Sequence, residues 1–175
     1  TILKSTGTRF IGDSIKKFQP KDVVLIGKNL PHMWLSDPKY FEEKSTLKAA
    51  AISIHFKDLF LGNTFFNLPE MNSILQLFKK AEQGIQFKNV SKKLRQSIEK
   101  LHTASDFNKT YHFIAILYEL SVHSDYKVLA SSGYVNALQQ EDSALTNQVI
   151  AYIFKNFNKE INLKKVAEIS KMNAS

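Results

Sequence analysis

The chain contains no cysteine, so no disulfide framework staples it and no thiolate can act as nucleophile or metal ligand. That fits a reducing compartment, and a cytoplasmic protein is expected. Glycine and proline are scarce, six and four in 175 residues. No glycine loop has the spacing that cradles a phosphate, which removes P-loop and dinucleotide-binding readings. No apolar run approaches the roughly 20 residues of a membrane-spanning helix, and the opening residues lack a signal-peptide pattern. No membrane partner is expected. Glu119 and Asp125 show no paired spacing for acid–base work, and Ser131-Ser132-Gly133 is no nucleophile elbow. Nothing points to an enzyme or to a cofactor. Thr1 is not an initiator and the first residues already read as strand, so the chain is expected to begin inside a longer one.

What is present suits a globular protein of one domain or two small ones. Hydrophobic residues make up 43% and charged residues 23%, enough for a buried core. The formal net charge of +8 invites a nucleic-acid partner. Its lysines, however, are scattered in pairs (Lys16-Lys17, Lys79-Lys80, Lys92-Lys93, Lys164-Lys165), and scattered pairs on helices read as solvated faces.

Residues 1–56 read as β-structure. Thr8-Arg9-Phe10-Ile11 and Ser14-Ile15-Lys16-Lys17-Phe18 flank Gly12-Asp13, a two-residue hairpin signal. Gln19-Pro20-Lys21-Asp22 has proline where a type I or II turn wants it. Val23-Val24-Leu25-Ile26 is an unbroken apolar run, expected to be covered on both faces. After a break at Gly27-Lys28-Asn29-Leu30-Pro31 the chain resumes extended, with His32 and Trp34 on one side and Met33 and Leu35 on the other. Residues 47–56 read as one long strand in which Ala49 and Ala51 leave volume on one face. That volume could form a cavity or let a neighbouring element approach closely.

From residue 57 the apolar period becomes helical, and residues 57–137 read as a helical region. Pro69-Glu70 opens a helix with Met71, Ile74, Leu75, Phe78 and Ala81 as its stripe, ended by Gly84. Val90, Leu94, Ile98 and Leu101 mark a second helix, capped by Asn89 or Ser91. A third begins at Ser105 or Asp106, with Phe107, Tyr111 and Tyr118 expected in the core. Ile85-Gln86-Phe87 and residues 126–131 are brief extended pieces, and Ser132-Gly133 reads as a break. The last segment, 138–175, holds an amphipathic helix over 143–157. Next come Asn162 as N-cap and an apolar stripe of Leu163, Val166, Ala167 and Ser170 on a short helix. Asn173 would then cap a further helix opening with Ala174 and Ser175. A short helix, a turn and the start of a second helix form the first half of a helix-turn-helix.

Two stretches resemble a known family. The run Ala151-Tyr152-Ile153, Asn156-Phe157, Ile161-Asn162-Leu163-Lys164-Lys165-Val166-Ala167-Glu168-Ile169 and Met172-Asn173-Ala174-Ser175 is similar to the opening of the DNA-binding region of AraC-type transcriptional regulators. Asp22-Val23-Val24-Leu25-Ile26-x-x-Asn29-x-Pro31-His32-x-Trp34 resembles the second half of that family's cupin-like sensor.

The resemblance implies an α+β chain: a partial cupin-like β-barrel at 1–56, a helical dimerisation and linker region, and an incomplete helix-turn-helix. Many members carry Gly near Lys171, which this chain does not. The resemblance also implies that Asn29, His32 and Trp34 meet a small-molecule effector, such as a sugar stacked on Trp34. Lys164 and Lys165, with Ser175 beyond the turn, would meet DNA. A homodimer is expected, with no metal. A cupin-type metal-dependent enzyme with a helical extension is the alternative, in which His32 and His55 would bind the ion.

Overall fold

Gly12, at φ +55°, turns the chain between β2 (Gly7–Ile11) and β3 (Ser14–Phe18), which pair antiparallel from Gly7↔Phe18 to Ile11↔Ser14. The computed structural model describes residues 1–62, 64–140 and 143–170. The next turn is type II: Asp22 N–H donates to Gln19 O at 3.2 Å across Pro20 and Lys21, and Lys21 has φ +77°. The chain then runs through β4 (Val23–Leu25) to β5 (His32–Ser36), which pairs antiparallel with the far edge of β2.

Three small sheets result: β3-β2-β5; β4 with β7 (Ile85–Phe87) and β8 (Tyr126–Val128); and β1 (Ile2–Lys4) with β6 (Ala50–Ala51). The chain is thus α+β as expected, but among the described residues the strands close no barrel. The middle sheet takes β4 from the expected β-region and β7 and β8 from the expected helical region, so the two segments share a sheet. β4 is covered on both faces, as its apolar run requires. Val23 and Leu25 belong to one hydrophobic cluster, Val24 and Ile26 to another.

The larger cluster fills the space between the β4-β7-β8 sheet and three helices, α1 (Asn72–Ala81), α2 (Lys92–Lys100) and α3 (Asp106–Ser121). Pro69–Met71 is a 3-10 turn leading into α1, and Gly84 at φ +68° reverses the chain after it. Ser91 caps α2, its hydroxyl accepting from Leu94 N–H at 3.1 Å. Val90, Leu94, Ile98 and Leu101 are all buried, as their spacing demands.

Three expectations need correction. The long strand over 47–56 reduces to β6, because β1 offers only a short partner with an irregular register. Beyond it Ile54 and Phe56 pack into the large cluster, Phe56 meeting Phe113 at 4.8 Å between ring centroids. Side-chain packing has replaced ladder hydrogen bonds there. On α3 the buried face is Phe113, Ile116, Leu117 and Leu120, while Phe107, Tyr111 and Tyr118 are 77%, 56% and 53% exposed. Large apolar side chains occur on more than one side of the helix, and only one face fits over the sheet. Finally, Ser132-Gly133 is no break: it opens α4 (Ser132–Gln140), whose first turn is held from outside.

That hold comes from the hairpin. Asp13 Oδ1 accepts from Ser131 N–H at 2.9 Å, and Ala130 and Val135 join Ile11 and Leu30 in the second cluster. The chain continues through α5 (Ser143–Asn156) to α6 (Leu163–Ser170). Phe157 returns to the hairpin and lies 6.5 Å from Phe10, ring to ring.

Candidate functional site

β5 places His32, Trp34 and Ser36 on one face, opposite Ile11, Arg9 and Gly7 of β2. These three side chains line a cavity of about 390 Å³. Its other walls come from β4, from residues 49–56 and from the inner faces of α2 and α3. Ala49 and Ala51 border it, as does Ala50, while β6 also brings Ala50 and Ala51 alongside β1. The lining is mostly apolar, with Phe18, Ile54, Phe56, Phe113 and Leu117 among its larger members.

The polar groups can be read one by one. His32 Nδ1 lies 2.7 Å from Leu30 O. A carbonyl only accepts, so Nδ1 carries the proton, and in the neutral ring Nε2 is left as an acceptor. The Trp34 ring stands edge-on to His32, centroids 5.8 Å apart. Its indole N–H is buried and has no hydrogen-bond partner among the described residues. Trp34 also packs on the second cluster, so one side chain borders both the cavity and the seat of α4.

Asn29 does not border the cavity. It lies in the preceding turn at φ +60°, a conformation asparagine tolerates better than most residues. The structure therefore brings together two of the three expected ligand residues.

A polar network beneath the cavity was not foreseen. Arg9 is 2% exposed. Its Nη1 donates to Asp22 Oδ2 at 3.1 Å and its Nη2 to Gln86 Oε1 at 2.6 Å, which ties the β3-β2-β5 sheet to the β4-β7-β8 sheet. Burial pushes the guanidinium below its ordinary value, and the Asp22 carboxylate pulls it back up. The signal was available: Ile11 points inward, so alternation along β2 sends Arg9 the same way. Asp22 itself borders the cavity.

His55 also borders the cavity, its Nε2 3.0 Å from Ser53 Oγ. Among the described residues, no three His, Cys, Asp or Glu side chains gather as a metal-binding group.

At the other end, Asn162 caps α6, its Oδ1 accepting from Lys164 N–H at 2.9 Å. Lys164 is exposed, and Lys165 Nζ pairs with Glu168 at 2.8 Å, which raises the lysine's affinity for its proton. Ala167 is the buried contact of α6. Ser175, with Asn173 and Ala174, lies outside the described residues.

No family model, curated protein or solved structure matches the chain. Function therefore has to be argued from the cavity, from α6 and from what connects them. Among the described residues, no helix is long and apolar enough to cross a membrane.

Proposed function

We propose that the chain is part of a ligand-responsive, DNA-binding transcriptional regulator of the AraC type, acting in the cytoplasm and without catalysis. The observation that carries this reading is the joining of two dissimilar units. A largely apolar cavity with few polar groups is the usual form of a small-molecule site. A capped short helix behind a long one, with lysines on its first turn, is the usual form of the helix that crosses a DNA backbone. Trp34 borders the cavity and packs against the cluster that seats α4, the first of the three helices that end the described chain.

In this reading a ligand in the cavity binds one arrangement of the helical end better than another, and acts only through that difference. Lys164 and Lys165 contact phosphates, and base reading belongs to residues further along. The dimer forms through the solvent face of α3, where Phe107, Tyr111, Tyr118 and Val122 are exposed. Their order is symmetric about the middle of the helix. In an antiparallel pair Phe107 faces Val122 of the second copy and Tyr111 faces Tyr118, with His112 falling beside Glu119.

The test is fluorescence anisotropy of a labelled duplex titrated with the chain at several salt concentrations. The expected result is weak binding with no sequence preference, its affinity falling linearly on a log–log plot against salt. Lys164→Glu with Lys165→Glu lowers affinity about tenfold or more, whereas reversing Lys92 and Lys93 on α2 leaves it unchanged. Equal loss from both pairs would reduce the effect to net charge and contradict the assignment.

A further inference from the structure

We infer that the cavity takes an amphipathic molecule without negative charge, its apolar body laid against α2 and α3 and its hydrogen-bonding head turned to the side built by residues 1–55. The inference rests on the sensor reading above and names the ligand class of that site.

The wall is divided by element. Ile98 of α2 and Phe113, Ile116, Leu117 and Leu120 of α3 are all buried, and their side chains bring only carbon to the cavity. Every polar side chain on the wall comes instead from residues 1–55, among them Ser5, Asp22, Ser36, Ser53 and His55. Ser53 and His55 are exposed, so this side also holds part of the rim. The volume of about 390 Å³ falls within the roughly 300–1,000 Å³ of small-molecule pockets. A wholly apolar occupant would strip water from the polar side and give nothing back, and each group left unpaired would keep its desolvation penalty. A molecule with one apolar and one polar end meets both walls.

Charge is the sharper restriction. The chain has 24 lysines and arginines, yet among the described residues none borders the cavity, while Asp22 does. Arg9 stands behind the wall. Its Nη1 is spent on Asp22 Oδ2, which also accepts from the Gln19 amide at 3.3 Å. Oδ1 has no partner among the described residues. The buried polar atoms left unpartnered there are Arg9 Nε and Trp34 Nε1, so Oδ1 keeps accessible surface. It can accept from an alcohol or an ammonium, whereas a carboxylate or phosphate brings no donor and meets a like charge. The other ionisable groups on the wall are His32, His55 and the Thr1 amine. That amine already donates to Ile52 O at 2.7 Å, and burial lowers its hold on the proton. An anionic head would lose its water without gaining a fixed counter-charge.

Three probes of matched size are titrated against the full chain at about pH 8, where an imidazole is neutral: 4-butylbenzyl alcohol, 4-butylbenzylamine and 4-butylbenzoate. The heat of binding is followed together with the fluorescence of Trp34, the only tryptophan. Saturable binding is expected for the alcohol and the amine, with affinity about tenfold or more lower for the benzoate. Ala50→Phe fills the cavity from β6 and abolishes both responses; retained binding in that variant overturns the site. Ser53→Arg, at an exposed position on the wall, supplies the missing cation and brings the benzoate to within a few-fold of the alcohol. Continued rejection of the benzoate by that variant would mean that shape excludes it, and overturns the charge assignment. Equal affinity of wild type for benzoate and alcohol overturns it too, while leaving the sensor reading intact. Saturation by none of the three overturns the inference outright. The DNA titration above depends on none of these probes, so the regulator reading stands or falls separately.

Discussion

Lys21 occupies the third position of a type II turn at φ +77°, where glycine carries no steric penalty and an L side chain carries about 1–2 kcal/mol. Glycine loosens the unfolded chain by about 0.4–1 kcal/mol in the opposite direction. Lys21→Gly is therefore expected to stabilise the protein by about 0.5–1 kcal/mol, read as a higher urea midpoint at unchanged slope. Arg9 poses the reverse problem. It is 2% exposed and joins Asp22 to Gln86, so removing it strands a nearly buried carboxylate. Arg9→Met is expected to cost about 3 kcal/mol in urea unfolding, and a loss under about 1 kcal/mol would mean that solvent already satisfies Asp22. Positive-φ asparagine at 29 makes a related point. A residue can stand beside a site in sequence and serve only to turn the chain toward it.

Among the elements, α3 and the hairpin carry the most consequence. Both faces of α3 carry large apolar side chains, and what separates them is which one the sheet covers. Leu117, 1% exposed, is expected to cost about 2–5 kcal/mol on replacement by alanine. Tyr111→Glu, on the solvent face, leaves stability unchanged and moves the chain toward monomer in sedimentation; a dimer that persists would place the interface elsewhere. The β2–β3 hairpin holds α4 through Asp13, whose carboxyl is kept below its ordinary value first by the Ser131 side chain and then by its amide. A lowered folded-state value means that the carboxylate adds stability fully present above the ordinary carboxylate range. That stability disappears as pH falls through the lowered value. Wild type should thus lose its margin over Asp13→Asn progressively as pH falls below about 4, the ordinary aspartate value, as followed by urea midpoints.

These elements also mark how far the sequence could be read. The hairpin, the two-faced β4 run, the Ser91 and Asn162 caps and the α2 stripe were all legible, because each is decided within a few residues by turn chemistry or periodicity. The strand over 47–56 and the aromatic stripe of α3 were not. Pattern says that a side chain is apolar, and only tertiary structure says which partner exists to cover it. In the site, His32 and Trp34 were legible from alternation along β5. The cavity was legible only as the spare volume of Ala49 and Ala51. The inward direction of Arg9 could be read from alternation along β2, but its partners Asp22 and Gln86 lie too far off in sequence to be seen.

At the scale of the whole molecule, the claim is that a cavity on one side and a DNA-facing helical end on the other are coupled through shared packing. Trp34 borders the cavity and joins the cluster containing Ile11, Ala130 and Val135, so a ligand resting on the indole acts directly on the seat of α4. Phe10 against Phe157 offers a second contact from the same hairpin to the chain just beyond α5. Neither contact needs a long-range pathway; both are single layers of packed side chains. The most direct measurement is amide hydrogen exchange across α4, made on the wild type and on Ala50→Phe, whose added ring fills the cavity from β6. The account predicts slower exchange at Val135 and its neighbours in α4 when the cavity is filled, with no change in the exposed loop over residues 41–46. A folded variant with α4 exchanging at an unaltered rate would contradict it.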